Sequence, residues 1–254
     1  MERTMARENK INTRLEIIQV ATRLFLERGY TNVLVSDIVG EIGISKGNLT
    51  FYFPTKEHLL AELIHRLCDF QWELMGKTAA EKNPLTAYLL EITAMTASCC
   101  ENPVARELYV SAYTSQLSLE IIRENDTRKA KKIFAEYCPD WTGGDFIIAE
   151  NIASGIEYSL FTGRQESGST PDRRIAASLN AIMMVYHVPE DVRRQMTEDV
   201  LNMDYRRMGR EMLEEFGQYV EEVNQKALEE AAARRLAKQV KRQPGKRGRK
   251  RRTA

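Results

Sequence analysis

The 254 residues carry 37 Lys+Arg against 36 Asp+Glu, a formal net charge of +1, and their 43% apolar content excludes a chain disordered throughout. No stretch approaches the ~18 uninterrupted apolar residues of a membrane span, and the charged start at Met1–Asn12 has no apolar signal region behind it. A cytoplasmic protein that touches no membrane is expected, with Cys68, Cys99, Cys100 and Cys138 as buried thiols, since no C-x-x-C pair occurs.

Apolar residues recur at helical steps almost everywhere, which predicts an all-α fold. A first helix is expected over Asn9–Arg28, with Leu15, Ile18, Ala21 and Phe25 on one face and Gly29 as its C-cap. A short helix from Val35 or Ser36 to Ile42 follows. Gly43 breaks it, and Ser45 N-caps a third helix over Lys46–Phe53 that Pro54 stops. Proline then punctuates the chain at Pro84, Pro103, Pro171 and Pro189, each placed to open a helix. Further helices are expected at 56–81, 84–101, 103–122, 126–138, 144–163, 171–187 and 189–240, the last of them one or two helices, with loops at Cys138–Gly144 and Arg164–Thr170. No internal repeat is present.

Two short helices joined at Gly43-Ile44-Ser45 behind a longer one fit a helix-turn-helix, although an ordinary helical hairpin has the same spacing. Ile38, Val39, Ile42, Ile44, Leu49 and Phe53 supply the apolar contacts that would hold the pair against the first helix. The runs Gly29-Tyr30, Val35-Ser36-Asp37-Ile38, Ile42 to Leu49, Phe53-Pro54-Thr55-Lys56-Glu57 and Leu59-Leu60 resemble the tetracycline-repressor (TetR) family over roughly residues 12–64. That resemblance implies a three-helix DNA-binding domain followed by a variable helical domain that dimerises and binds a small effector. It further implies that Ser45 opens the recognition helix and that Lys46, Gly47 and Asn48 meet the major groove, with Phe51 and Tyr52 further along. Ser36 reaches DNA from the second helix, and the ammonium and helix-end N–H groups at Lys56 meet a phosphate. Thr50 stands where the family usually has a phosphate-contacting tyrosine, and Leu34 where it often has a threonine. Thr50 is kept in the expected DNA-binding set.

The charge is segregated. Residues 1–60 hold 8 basic and 7 acidic side chains, residues 61–233 hold 18 and 29, and residues 234–254 hold 11 and none. A weakly basic reader gains little phosphate affinity of its own, so the tail is expected to supply it as a disordered polybasic arm. Lys246 to Lys250 loosely resembles an AT-hook, with Lys250 where proline is usual. The alternative partner for the tail is the acidic stretch 211–230, which has seven Glu and one Lys.

Aromatic, sulfur and polar side chains of the middle region mark an effector pocket between bundle helices: Trp72, Tyr88, Met95, Tyr109, Tyr113, Gln116, Phe134, Tyr137 and Glu150. Phe70, Phe146, Tyr158 and Asn151 belong to the same cluster. Ile148, Ile152, Gly155, Ile156 and Ser159, with Ile175, Leu179, Ile182 and Met183, are expected to form the dimer interface. His58, Glu62, His65 and Asp69 share one helical stripe and are the candidates for a metal-dependent helical enzyme, but neither a second Glu-x-x-His nor a nucleophile motif completes such a site.

The sequence thus predicts domains at 1–55, 56–240 and 241–254. The expected protein is a dimeric, non-enzymatic regulator, a repressor released from a palindromic operator by a small, largely apolar effector, with no cofactor or metal. The rivals are the metal-dependent enzyme built on His58, Glu62 and His65, and a DNA-coating protein driven by its tail.

Overall fold

A computed structural model describes the backbone of residues 2–163 and 170–242, and the side chains of 12–78, 81–163 and 170–233. Among the described residues there are eleven helices: α1 (Glu2–Arg28), α2 (Val35–Ile42), α3 (Lys46–Tyr52), α4 (Lys56–Glu81), α5 (Pro84–Glu101), α6 (Pro103–Thr114), α7 (Gln116–Phe134), α8 (Gly143–Thr162), α9 (Pro171–Val185), α10 (Glu190–Leu201) and α11 (Tyr205–Arg242). Expected and observed boundaries agree closely for α2 to α5. The first helix starts at Glu2, seven residues before the expected Asn9.

Caps account for the breaks. Asn83, Asn102 and Thr170 each precede a proline at the first helical position, and their side-chain oxygens accept the backbone N–H groups of Thr86, of Val104 and Ala105, and of Arg173. Two breaks lack proline and glycine, Asn202–Asp204 before α11 and Ser115 before α7. The stretch expected as a helix over 103–122 divides at Ser115, whose backbone is extended, so that α7 runs unbroken through 126–134. The final stretch is two helices, and α11 continues through Lys241 and Arg242. Of the expected loops, Arg164–Thr170 lies outside the described residues except for Thr170, and the basic run after Gln243 lies outside them altogether.

Helices α1 to α3 form a small unit against the start of α4, with Ile17, Leu24, Ile38, Leu49 and Phe53 buried between them. Helix α5 is the axis of the larger part: it packs on α4, α6, α10 and α11 and is buried over nearly all its length. The α5–α11 crossing is close because residue 209 is glycine; a Cβ there would lie 2.5 Å from the Ala94 carbonyl oxygen. Helix α11 then runs antiparallel to α4. Met208 and Met212 lie by Met75 and Thr78, Phe216 and Tyr219 stack on Phe70, and Asn224 donates to the Leu15 carbonyl at 3.3 Å, beside the Arg14–Glu62 ion pair. Among the described residues no helix is long and apolar enough to cross a membrane. Cys68, Cys99 and Cys138 are buried, whereas Cys100 is exposed, contrary to expectation.

Candidate nucleic-acid interface and effector cavity

The turn between α2 and α3 is built from its residues upward. Gly43 ends α2 in the left-handed region, at φ +78, a conformation that costs a side-chain-bearing residue dearly. Ser45 follows as N-cap of α3, its hydroxyl accepting the Asn48 N–H at 3.1 Å. Leu49 and Phe53 turn inward. Lys46, Gly47, Asn48, Thr50 and Phe51 are left exposed on the outer face, and Phe51 is 64% exposed against the half-buried Tyr52 ring. Ser36 is also exposed, at the start of α2. A short helix presenting polar side chains and one aromatic from a braced turn has the dimensions and chemistry to enter a major groove.

Two members of the expected set are otherwise engaged. Thr50 donates its hydroxyl to the Gly47 carbonyl at 3.1 Å. The Lys56 ammonium donates to the carbonyls of Tyr30 and Val33, at 2.8 and 2.9 Å, and sits 4.2 Å from the Tyr30 ring centroid; burial there pushes its pKa down. What the start of α4 offers a phosphate is therefore its backbone N–H groups rather than this ammonium. At α2, Leu34 has no oxygen to cap with, and Asp37 compensates by accepting the Leu34 N–H at 2.8 Å.

The reader is tethered to the larger part through α6. Glu107 accepts the backbone N–H groups of Tyr30 and Thr31, at 2.6 and 2.9 Å, and the Thr31 hydroxyl; at the other end of α6, Ser115 donates to Glu57 of α4 at 3.1 Å. Arg106 donates to the carbonyls of Phe161 and Thr162 at the end of α8. These residues were not singled out from sequence, where an exposed-looking Glu on an amphipathic helix carries no signal.

The opposite face of α6 lines a cavity of about 30 Å³ enclosed by α4 to α8. Tyr88, Met95, Tyr109 and Tyr113 of the expected pocket line it. The other five do not. Trp72 donates to Asn125 at 2.5 Å beneath Lys132, Gln116 is exposed and bonds Glu120, Phe134 stacks on Tyr186 at 4.0 Å, Tyr137 is half-buried, and Glu150 accepts from the Tyr186 hydroxyl. In their place stand acids: Glu91, Asp126 and Glu157. Lys129, fully buried, holds Glu91 at 2.7 Å and Asp126 at 3.5 Å. Tyr113 donates to Glu157 at 2.5 Å, and burial, then the nearby Asp126 charge, push the Glu157 carboxyl up to about 8. These charged groups stand in and behind a lining that is otherwise mainly apolar, with Ile64, Leu67, Ile92, Ala112 and Ile122.

On the outer surface, Ile147, Ile148, Ile152 and Tyr158 of α8 and Met184 of α9 form an exposed apolar stripe, and Gly155 and Ser159 are exposed within it, with Ile156 half-buried. The α9 residues expected at an interface face the other way. Ile175, Leu179, Ile182 and Met183 are all at most 1% exposed, filling the protein's own core. On α4, Glu62 is paired with Arg14 and Arg66, His58 with Thr55, and His65 with Asp69; among the described residues no group of three or more His, Cys, Asp or Glu is placed to hold a metal ion.

Fold and turn together define a helix-turn-helix domain. Residues 17–63 match the family described as "Bacterial regulatory proteins, tetR family". It is 34% identical over 119 residues to an uncharacterized HTH-type transcriptional regulator, YuxN, of Bacillus subtilis, covering 46% of this chain and 39% of that one. Over 67 residues it is 38% identical to the HTH-type transcriptional regulator QacR of Staphylococcus aureus, covering 26% of this chain and 35% of QacR. The matched segments thus span well under half the length of both relatives. Among solved structures, the TetR family protein CprB of S. coelicolor A3(2) is similar over 80% of this chain and 99% of its own, at 22% identity and a TM-score of 0.43.

Proposed function

We propose that the protein is a homodimeric transcriptional regulator of TetR type, a repressor that binds a palindromic operator and leaves it when a small molecule enters the α4–α8 interior. The observation that carries this reading is the face of α3: Lys46, Gly47, Asn48 and Phe51 stand exposed on a helix capped by Ser45 and braced from behind by Leu49 and Phe53. The apolar stripe on α8, with Met184, supports a symmetric dimer, which would set two such faces one or more duplex turns apart.

Release follows from α6. One of its faces is cavity wall, through Tyr109 and Tyr113; the other holds the α1–α2 turn through Glu107. A ligand that needs more than the present 30 Å³ has to displace α6, and the displacement moves the reader. The basic end of the chain belongs to the same reading as a second, sequence-independent hold on duplex DNA.

The test is selection of bound sequences from random duplex DNA with the full-length protein. An enriched inverted repeat is the expected result. Equal recovery of all sequences would overturn operator recognition in favour of a DNA-coating protein.

A further inference from the structure

The interior of the α4–α8 region holds more buried acid than a structural core needs. Glu91, Asp126, Glu150 and Glu157 come together there with a single buried cation, Lys129, which pairs with the first two. Two polar atoms on the cavity wall have no hydrogen-bond partner among the described residues: the hydroxyl of Tyr88, a residue only 3% exposed, and Oε2 of Glu91, whose side chain is 10% exposed. Buried polar groups are ordinarily satisfied, so each orphan asks for a partner that enters from the cavity. The rings of Tyr88, Tyr109 and Tyr113 and the Met95 thioether complete the wall.

We propose that this cavity is the recognition site for an organic cation, an ammonium with an attached apolar or aromatic group. The proposal rests on the reading of this interior as the effector site. Electrostatics discriminates among the ligand classes. An anion would meet the Glu91 and Asp126 carboxylates with one lysine to offset the two. An uncharged hydrocarbon would leave the Tyr88 hydroxyl and Glu91 Oε2 unpartnered. A cation gains the carboxylates at short range in a low-dielectric interior, and the negative faces of three rings besides. Room is made by the same displacement of α6, beside the Gln71 amide, which donates to the Met95 sulfur at 3.1 Å.

Binding carries a proton signature. Glu157 is faced by Glu91 and Tyr88 of α5, Tyr113 of α6, Asp126 and Lys129 of α7, Cys68 of α4, Tyr186 at the end of α9 and, on its own helix, Glu150. In this acidic setting Glu157 keeps its proton at neutral pH, consistent with its value of about 8. A bound cation favours the carboxylate, so the Glu157 O–H proton is released to solvent as the cation enters. Affinity then rises by up to tenfold per pH unit below that value and levels above it.

The experiment is calorimetric titration of the full-length protein with 2-phenylethylammonium, its uncharged isostere propylbenzene, and 3-phenylpropanoate, at pH 6 and pH 8. The ammonium is expected to bind at least tenfold more tightly than either of the others, more tightly at pH 8 than at pH 6, and with a heat at pH 7 that depends on the buffer's ionisation enthalpy. Glu157→Gln should lose the proton release and at least tenfold in ammonium affinity. If that variant does not fold, Tyr88→Phe should weaken the ammonium while leaving the pH dependence intact. Equal or tighter binding of the neutral or anionic probe, or no binding of the ammonium at millimolar concentration, overturns the proposal. The underlying effector reading is separated by an operator-binding assay. An ammonium that binds without lowering operator affinity keeps the cation site and refutes release, whereas a neutral probe that binds and releases DNA does the reverse.

Discussion

Lys56 shows how one side chain's partners change the meaning of its position. An ammonium at the start of a helix that faces DNA invites a phosphate, yet this one already makes two charge-assisted hydrogen bonds, to the Tyr30 and Val33 carbonyls, and covers the Tyr30 ring. Its work is to hold the α1–α2 turn onto α4. Lys56→Ala is therefore expected to destabilise the protein by about 2 kcal/mol, since hydrogen bonds to charged groups are worth roughly 1.5–3 kcal/mol. The salt dependence of binding should stay the same at temperatures where the variant is folded. Chemical denaturation together with binding isotherms at several salt concentrations decides the point. A slope lower by about 1 with unchanged stability would restore the phosphate role. Glu107 makes the complementary case, because nothing in its local sequence marks it, and only the fold brings it under two backbone N–H groups more than seventy residues away.

At the scale of elements, helix ends marked by backbone chemistry were readable: proline after an Asx or threonine cap, and glycine at φ +78, act locally and need no tertiary partner. Ser115 breaks its helix with neither, being buried and bonded to Glu57 of α4, so the reason lies in packing. The buried acids were half legible. Glu150 and Glu157 lie seven residues apart on the stripe that also holds Phe146, Ala153 and Leu160, a position that predicts burial, but a lone carboxylate on a helix usually means solvent. The direction of α11 was not readable at all. From Asn224, level with the start of the α1–α4 contact, α11 continues for about 27 Å to Arg242, whereas α4 needs only about 9 Å from Glu62 to reach its DNA-facing end, at roughly 1.5 Å per residue. The helix therefore outruns α4 at the end where α4 meets α1 to α3, and its last turns have Arg234, Arg235, Lys238, Lys241 and Arg242 and no acid in sequence. Truncation after Ala233 is expected to weaken operator and scrambled duplexes in parallel. The truncation removes all eleven basic side chains of residues 234–254; if the five on α11 alone each neutralise one phosphate, the salt slope falls by at least about 4.5. An unchanged slope would assign the basic end to the acidic stretch 211–230 instead.

For the whole molecule, one face of α8 and α9 holds the chain together, and the other is the one proposed to join two copies. Apolarity alone does not tell them apart, which is why Ile182 and Ile148 looked equivalent as sequence; burial separates them, Ile182 being inaccessible and Ile148 63% exposed. The distinction predicts opposite behaviour. Ile182→Ala opens a void in the core and should cost about 2–5 kcal/mol of stability without altering assembly below the melting point. Ile148→Asp combined with Ile152→Asp places two charges on surface that is already solvated in the single chain, so the fold should survive while the apolar stripe can no longer pair with its copy. Sedimentation should then show a monomer. Operator affinity should fall by about 10²-fold or more, because each reader must find its half-site without the effective concentration that a linked partner supplies. A double variant that still sediments as a dimer and holds the operator as tightly would move the interface away from α8 and remove the basis for two readers acting at a fixed separation.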